Sequence, residues 1–152
     1  MNQLTLTTHQ SRHLTGPWPT FAIDAVPLEV WLPHHDPNSE YHLVSAQWGL
    51  YDDDALLAWD RLYCIAPGWR TLVPLLVCAD DLDLSCTVIV AEQVADEQTV
   101  HWRRFGLLRD PITEPEPAVD WFAIPATRFD RAAFLATLDQ FRSETDVKME
   151  WD

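Results

Sequence analysis

The sequence predicts an α+β fold, an antiparallel sheet with one or two helices packed on it, and three observations carry that prediction. Between Thr71 and Leu108, apolar, β-branched runs are separated by two acidic breaks, Ala79–Ser85 and Ala95–Gln98. This is the pattern of a three-stranded meander. Within it Val88-Ile89-Val90 is almost unbroken, so the strand Cys86–Val94 is expected at the centre, covered on both faces. Helical patterns lie before and after the strands instead of between each pair, which argues α+β over α/β.

In chain order, residues 1–20 are polar and broken by Gly16, Pro17 and Pro19, the pattern of an extended arm or a short edge strand at Leu4-Thr5-Leu6. Phe21-Ala22-Ile23 suits a short strand. Pro27 opens a helical turn that gathers Leu28, Trp31 and Leu32 on one face and stops at Pro33. His34–Ser39 is a loop by composition. Tyr41–Leu50 fits neither period. Asp52-Asp53-Asp54 caps a helix from Ala55 to about Tyr63, although Leu57, Trp59, Arg61 and Tyr63 also alternate as a strand would.

Past the turn at Ile65–Trp69 come the three meander strands. In the third, Arg103 and Arg104 are expected on opposite faces, because neighbours in a strand alternate. Asp110–Val119, with three prolines, reads as a surface excursion, and Asp120–Ile124 as a short strand. Thr127 and Asp130 resemble a capping box for a C-terminal helix, about 128–143, that stacks Phe134, Leu138 and Phe141. Val147, Met149 and Trp151 alternate, so residues 144–152 form an edge strand or fray.

At 152 residues with 47% apolar content, the whole chain, 1–152, reads as one domain with a real core. The start lacks the charged region and apolar stretch of a signal peptide, no apolar run reaches the ~20 residues of a membrane span, and the cysteine count is odd. A cytoplasmic location is expected. The net charge is −14, with 24 acidic against 10 basic residues. Such a field repels nucleic acid and anionic membranes and favours a basic protein as partner. Only four glycines occur, far apart, so a P-loop or dinucleotide fingerprint is absent and no cofactor is expected.

Asp80, Asp81 and Asp83 crowd three carboxylates into four residues, as hard cations require. Read from Asp81, the row places Asp83, Ser85 and Glu92 at further positions of a calcium loop. The match fails because Cys86 stands where the turn needs glycine, and the strand that follows carries Glu92 away. A solvated recognition loop is the better reading, with no metal. Cys78 and Cys86 can face one another across this loop, as a disulfide or, as a reducing compartment favours, as two small buried apolar side chains. Neighbouring carboxylates would raise a thiol pKa there and argue against reactivity. His34, His35 and His42 lack a zinc spacing. His101 is a general-base candidate only if a cleft joins it to Asp81 or Asp83.

The run Val77, Cys78, Asp80, Asp81, Asp83, Cys86, Thr87, then Val100, Trp102, Arg104 and Gly106 resembles a segment of small, acidic, largely uncharacterised bacterial proteins. Their pattern is V-C-P-D-D-x-D-x-x-C-T followed by V-x-W-x-R-x-G, and Ala79 stands here in place of the proline. The resemblance implies no particular activity. In size, acidity and α+β character the chain is also similar to immunity proteins of bacterial toxin systems.

The leading expectation is a non-enzymatic protein-binding module, a toxin-neutralising immunity protein being one form of it. Its acidic surface comprises Asp52, Asp53, Asp54, Asp80, Asp81 and Asp83, with the partly exposed aromatics Trp18, Trp48 and Trp69 available as anchors. Two alternatives stand beside it: a small metal-dependent hydrolase using Asp80, Asp81, Asp83 and His101, and a structural homodimer formed through edge strands.

Overall fold

A computed structural model describes residues 1–36 and 42–152. It is α+β. Strands β1 (Leu4–Gln10), β2 (Pro17–Ile23) and β3 (Val26–Pro27) form a small antiparallel sheet. Helix α1 (Leu28–His35) leads towards β4 (Leu43–Ser45), α2 (Ala46–Gly49) and α3 (Asp52–Leu62). The meander follows as β5 (Arg70–Cys78), β6 (Val88–Ala95) and β7 (Thr99–Leu108), then β8 (Val119–Trp121), β9 (Thr127–Asp130) and α4 (Arg131–Thr145). The larger sheet runs β4-β5-β6-β7-β8, with β9 pairing the first half of β7 and β8 its end.

The sheet has a core on each face. Ile89 and Ala91 of β6 point with Trp102 and Phe105 into the larger one, which is closed by Phe21 and Ile23, by Leu28, Trp31 and Leu32 of α1, and by Phe134, Leu138 and Phe141 of α4. Val88 and Val90 face a second core with Val44, Leu72, Val77 and Ile112. The strand expected to be central and doubly covered is so. Ile112 shows that the proline-rich excursion is more than surface, since it pegs that segment into the second core.

Helix α3 contributes Trp59 and Leu62 to the first core and Ala58 to the second. It does so because it lies along the edge of β5. There β4 pairs only Leu76–Cys78, and the remaining carbonyls accept from side chains: Pro74 from Gln47 Nε2 at 2.8 Å and Leu72 from an Arg61 guanidinium N–H at 3.1 Å. Covering those carbonyls blunts an edge that would otherwise template pairing with another chain.

Several local expectations are corrected. The N-terminal arm is a full ladder, Leu4↔Ile23 through Gln10↔Pro17. Pro17 and Pro19 are tolerated because β3 pairs only Ala22 and Ile23, which leaves that side of β2 open at the prolines. Helix α1 continues through Pro33 to His35. The aspartates of α3 occupy its first turn, where they complement the dipole, and Tyr51 holds the cap position without a side-chain bond. The cap of α4 is Asp130, whose Oδ2 accepts from the Ala133 amide at 2.9 Å, while Thr127 belongs to β9. The last residues neither pair as a strand nor fray: Asp146 adopts a left-handed cap, Met149 is buried, and the Asp152 carboxylate accepts from Arg142 at 2.7 Å. The expected loop at Pro37–Ser39 and the start of the ambiguous stretch at Tyr41 lie outside the described residues.

Candidate functional site

The two acidic stretches meet at one place. After β5, the Leu82 amide donates to the Cys78 carbonyl at 2.9 Å, coiling Cys78–Leu82 into a single turn. Leu82 then takes a positive φ of 53° and reverses the chain. Its side chain packs at Gly49, where a Cβ would stand only 3.1 Å from a Leu82 methyl. The Asp83 carboxylate accepts from both the amide and the hydroxyl of Ser85, at 3.0 and 2.7 Å, and these bonds hold its pKa below the ordinary carboxylate value. The Leu84 amide donates to Asp54 Oδ2 at 3.1 Å. That bond ties the 79–87 loop to the first turn of α3, so Asp52, Asp53, Asp54, Asp80, Asp81 and Asp83 share one end of the sheet.

The expected anchors Trp18, Trp48 and Trp69 are all at least partly exposed. Trp48 is half-buried, stacked on Trp18 at 4.4 Å between ring centroids. Trp69 is 62% exposed but precedes β5, on the order of 25–30 Å of strand away from the acidic loop. The exposed aromatic beside the acids is Tyr51, at 61%. Only its position next to Asp52 could have marked it in the sequence.

His101 does not approach the acidic loop either. Its Nε2 lies 2.8 Å from Thr99 Oγ1, near the turn from β6 to β7, whereas the loop joins the opposite ends of β5 and β6. The hydrolase arrangement of Asp80, Asp81 and Asp83 with His101 therefore has no common cleft. At the β4–β5 edge of the larger sheet, pairing with another chain is constrained, because β4 is three residues long and carbonyls of β5 beyond it are covered by side chains.

The expectation that Arg103 and Arg104 face opposite ways is overturned by a β-bulge. Ala91 pairs Phe105 and Gln93 pairs Trp102, so Arg103 and Arg104 together oppose Glu92. A bulge of this kind puts both extra residues on the partner's side. Glu92, with a side chain 1% exposed, consequently receives Arg70 at 2.6 Å, Arg104 at 3.0 Å and Arg103 at 3.5 Å, and Arg104 stacks on Trp121. Burial pushes the Glu92 carboxyl up, but hydrogen bonds from Arg104 and Arg70 outweigh it, and its pKa lies below the ordinary glutamate value. The arginines therefore pair with a strand residue and leave the acidic loops alone.

Sequence reasoning set Cys78 opposite Cys86 without joining Asp81 to them, and it missed a second grouping altogether. Cys78 Sγ, an Asp81 oxygen and Cys86 Sγ lie within 4.8 Å of one another, the thiols free. They are not buried as expected: Cys86 is exposed and Cys78 half-buried, because both stand at the mouth of the loop and not within the sheet's core. Hydrogen bonds to Asp81 and then to Cys78 raise the Cys86 pKa, the direction expected beside carboxylates. The second grouping is a cleft of about 300 Å³ lined by His9, Arg12, His13, Glu29 and His42. Glu29 holds His9 Nε2 at 2.8 Å and accepts from the Ser11 hydroxyl at 2.6 Å. His9 and His42 are 33 positions apart, and the group comes from the end of β1, the residues after it, α1 and the approach to β4, so only the tertiary fold brings it together.

Against protein-family models, curated proteins and solved structures, the chain finds no match. Among the described residues no helix is long and apolar enough to cross a membrane.

Proposed function

We propose that this chain is a non-enzymatic module of a bacterial cytosol that binds a basic protein, a toxin-neutralising immunity protein being the specific form. The observation that supports it is the bond from the Leu84 amide to Asp54, which unites two acidic stretches into one face beside exposed Tyr51. A net charge of −14 would steer a cationic partner towards this face. The Asp83 carboxylate is committed to Ser85, a local turn bond that suits a shaped surface better than a reaction centre. The test is capture from host lysate by the native chain and by the triple variant Asp52→Asn, Asp53→Asn, Asp80→Asn. The native chain should retain a basic protein that about 0.5 M salt releases, and the variant should not. Equal capture by both overturns the proposal.

A second reading is favoured by the His9–Glu29 pair in its cleft: a site for a small anion, with Arg12 and the histidines as donors. Inorganic phosphate at millimolar concentration should then shift the ring resonances of His9, His13 and His42. Unmoved resonances overturn it.

A further inference from the structure

We propose that Cys78, Asp81 and Cys86 form a binding site for a soft or borderline divalent cation, with zinc as the type case. The argument begins with backbone. The 78–82 turn sets Asp81 three residues after Cys78, on the same side of one helical turn. The reversal at Leu82 and the Asp83–Ser85 bonds then return the chain so that Cys86 reaches the sheet just before Val88, which pairs with Val77. Strand pairing thus brings the two thiols together, and the turn adds the carboxylate.

The donor set selects the metal. Two sulfurs and one oxygen are the ligands of zinc and related ions, while calcium and magnesium require oxygen cages. The hard-cation reading of the same loop loses Asp83 to Ser85 and Glu92 to three arginines. The soft set keeps all its members. Zinc sits about 2.3 Å from sulfur and about 2.0–2.2 Å from oxygen, so tetrahedral neighbours stand roughly 3.5 Å apart. The three donor atoms already lie within 4.8 Å of one another, so closing to that spacing asks for about 1.3 Å at most between any pair. His42 turns its ring to His13, centroids 4.8 Å apart, so the fourth position falls to water. Leu82 against Gly49 and Leu84 on Asp54 already order the loop that carries the ligands. Binding couples two thiol deprotonations to metal uptake, each proton leaving to solvent.

The test uses the full chain, reduced, with zinc chloride against a chromogenic chelator, and cadmium chloride to reveal sulfur-to-metal charge-transfer absorption. One equivalent of metal per chain is expected, with an absorption intensity matching two thiolates. Cys78→Ser, Cys86→Ser and Asp81→Asn should each weaken zinc by at least about tenfold, the loss that even outer-shell partners of a metal site produce. Glu116→Gln, exposed and outside both proposed sites, should leave the affinity unchanged. Cys86 is exposed, so its variant folds irrespective of Cys78. The proposal is overturned by absence of uptake at micromolar metal, by equal affinity in Cys86→Ser, or by a Cys78–Cys86 disulfide that forms equally with and without zinc.

Discussion

The β5–β6 pair has carboxylates at both of its ends, and they are treated in opposite ways. At the loop end, Asp80 and Asp81 are exposed, and Asp83 is held only by its own turn. Towards the far end, Glu92 is buried beneath three guanidiniums, and next to it Gln93, 0% exposed, serves both sides of a helix–sheet contact. Gln93 Nε2 reaches the carbonyls of Arg61, Leu62 and Cys64 at 3.1–3.3 Å, and its Oε1 accepts from Trp102 Nε1 at 2.9 Å. Acidic residues in one strand pair thus serve two ends: one group is left to solvent and available, the other is consumed in bracing β6 to β5 and β7, while Gln93 beside it holds the sheet to α3.

If that contrast is right, the largest loss should come from Gln93→Leu. It strands a buried indole N–H and removes the donor from three helix-end carbonyls, each orphaned group costing about 1–3 kcal/mol before relaxation. We expect a net destabilisation of about 3 kcal/mol by urea unfolding; a loss no larger than that of a loop variant would erase the distinction.

Glu92→Gln should come next, at about 2 kcal/mol near neutral pH. That is below the ~3–5 kcal/mol of a fully buried broken pair, because the arginines are half-exposed and rehydrate. The sign of its pH dependence follows from the lowered folded pKa. Stability from the ionised carboxylate is complete above the ordinary glutamate range and disappears as pH falls through the folded value. The gap between native and variant should therefore close on acidification, and a gap that widens in acid would refute the account. The smallest effect belongs to Asp80→Asn, which should leave the melting temperature unchanged while weakening capture of a basic partner. A large thermal shift would mean that the loop is structural after all.

The meander and α4 were legible because their apolar periods are dictated by burial on two faces or one, as in Val88–Val90 and in Phe134, Leu138 and Phe141. The β1–β2 ladder was hidden by prolines that are harmless only where a strand side is unpaired, which depends on how short β3 is. The Arg103–Arg104 bulge could not be read either, since a bulge is set by register with a partner strand and leaves no local mark. Of the candidate site, the acidic residues were visible as composition. Their union through Asp54 and Leu84, the exposure of Tyr51 beside them, and the His9–Glu29 pair all depend on contacts between distant segments.

Helix α3 is fastened at both extremities, by Gln93 and Arg61 at one and by Asp54 on Leu84 at the other. It behaves as a beam on two fixed supports. The acidic end is thereby a rigid template whose charges keep constant spacing before any visitor arrives. Under the proposed function, a docking protein would meet no unordered loop to freeze, association would be governed by diffusion and long-range attraction, and selectivity would rest on whether the incoming charges match a pattern that does not yield.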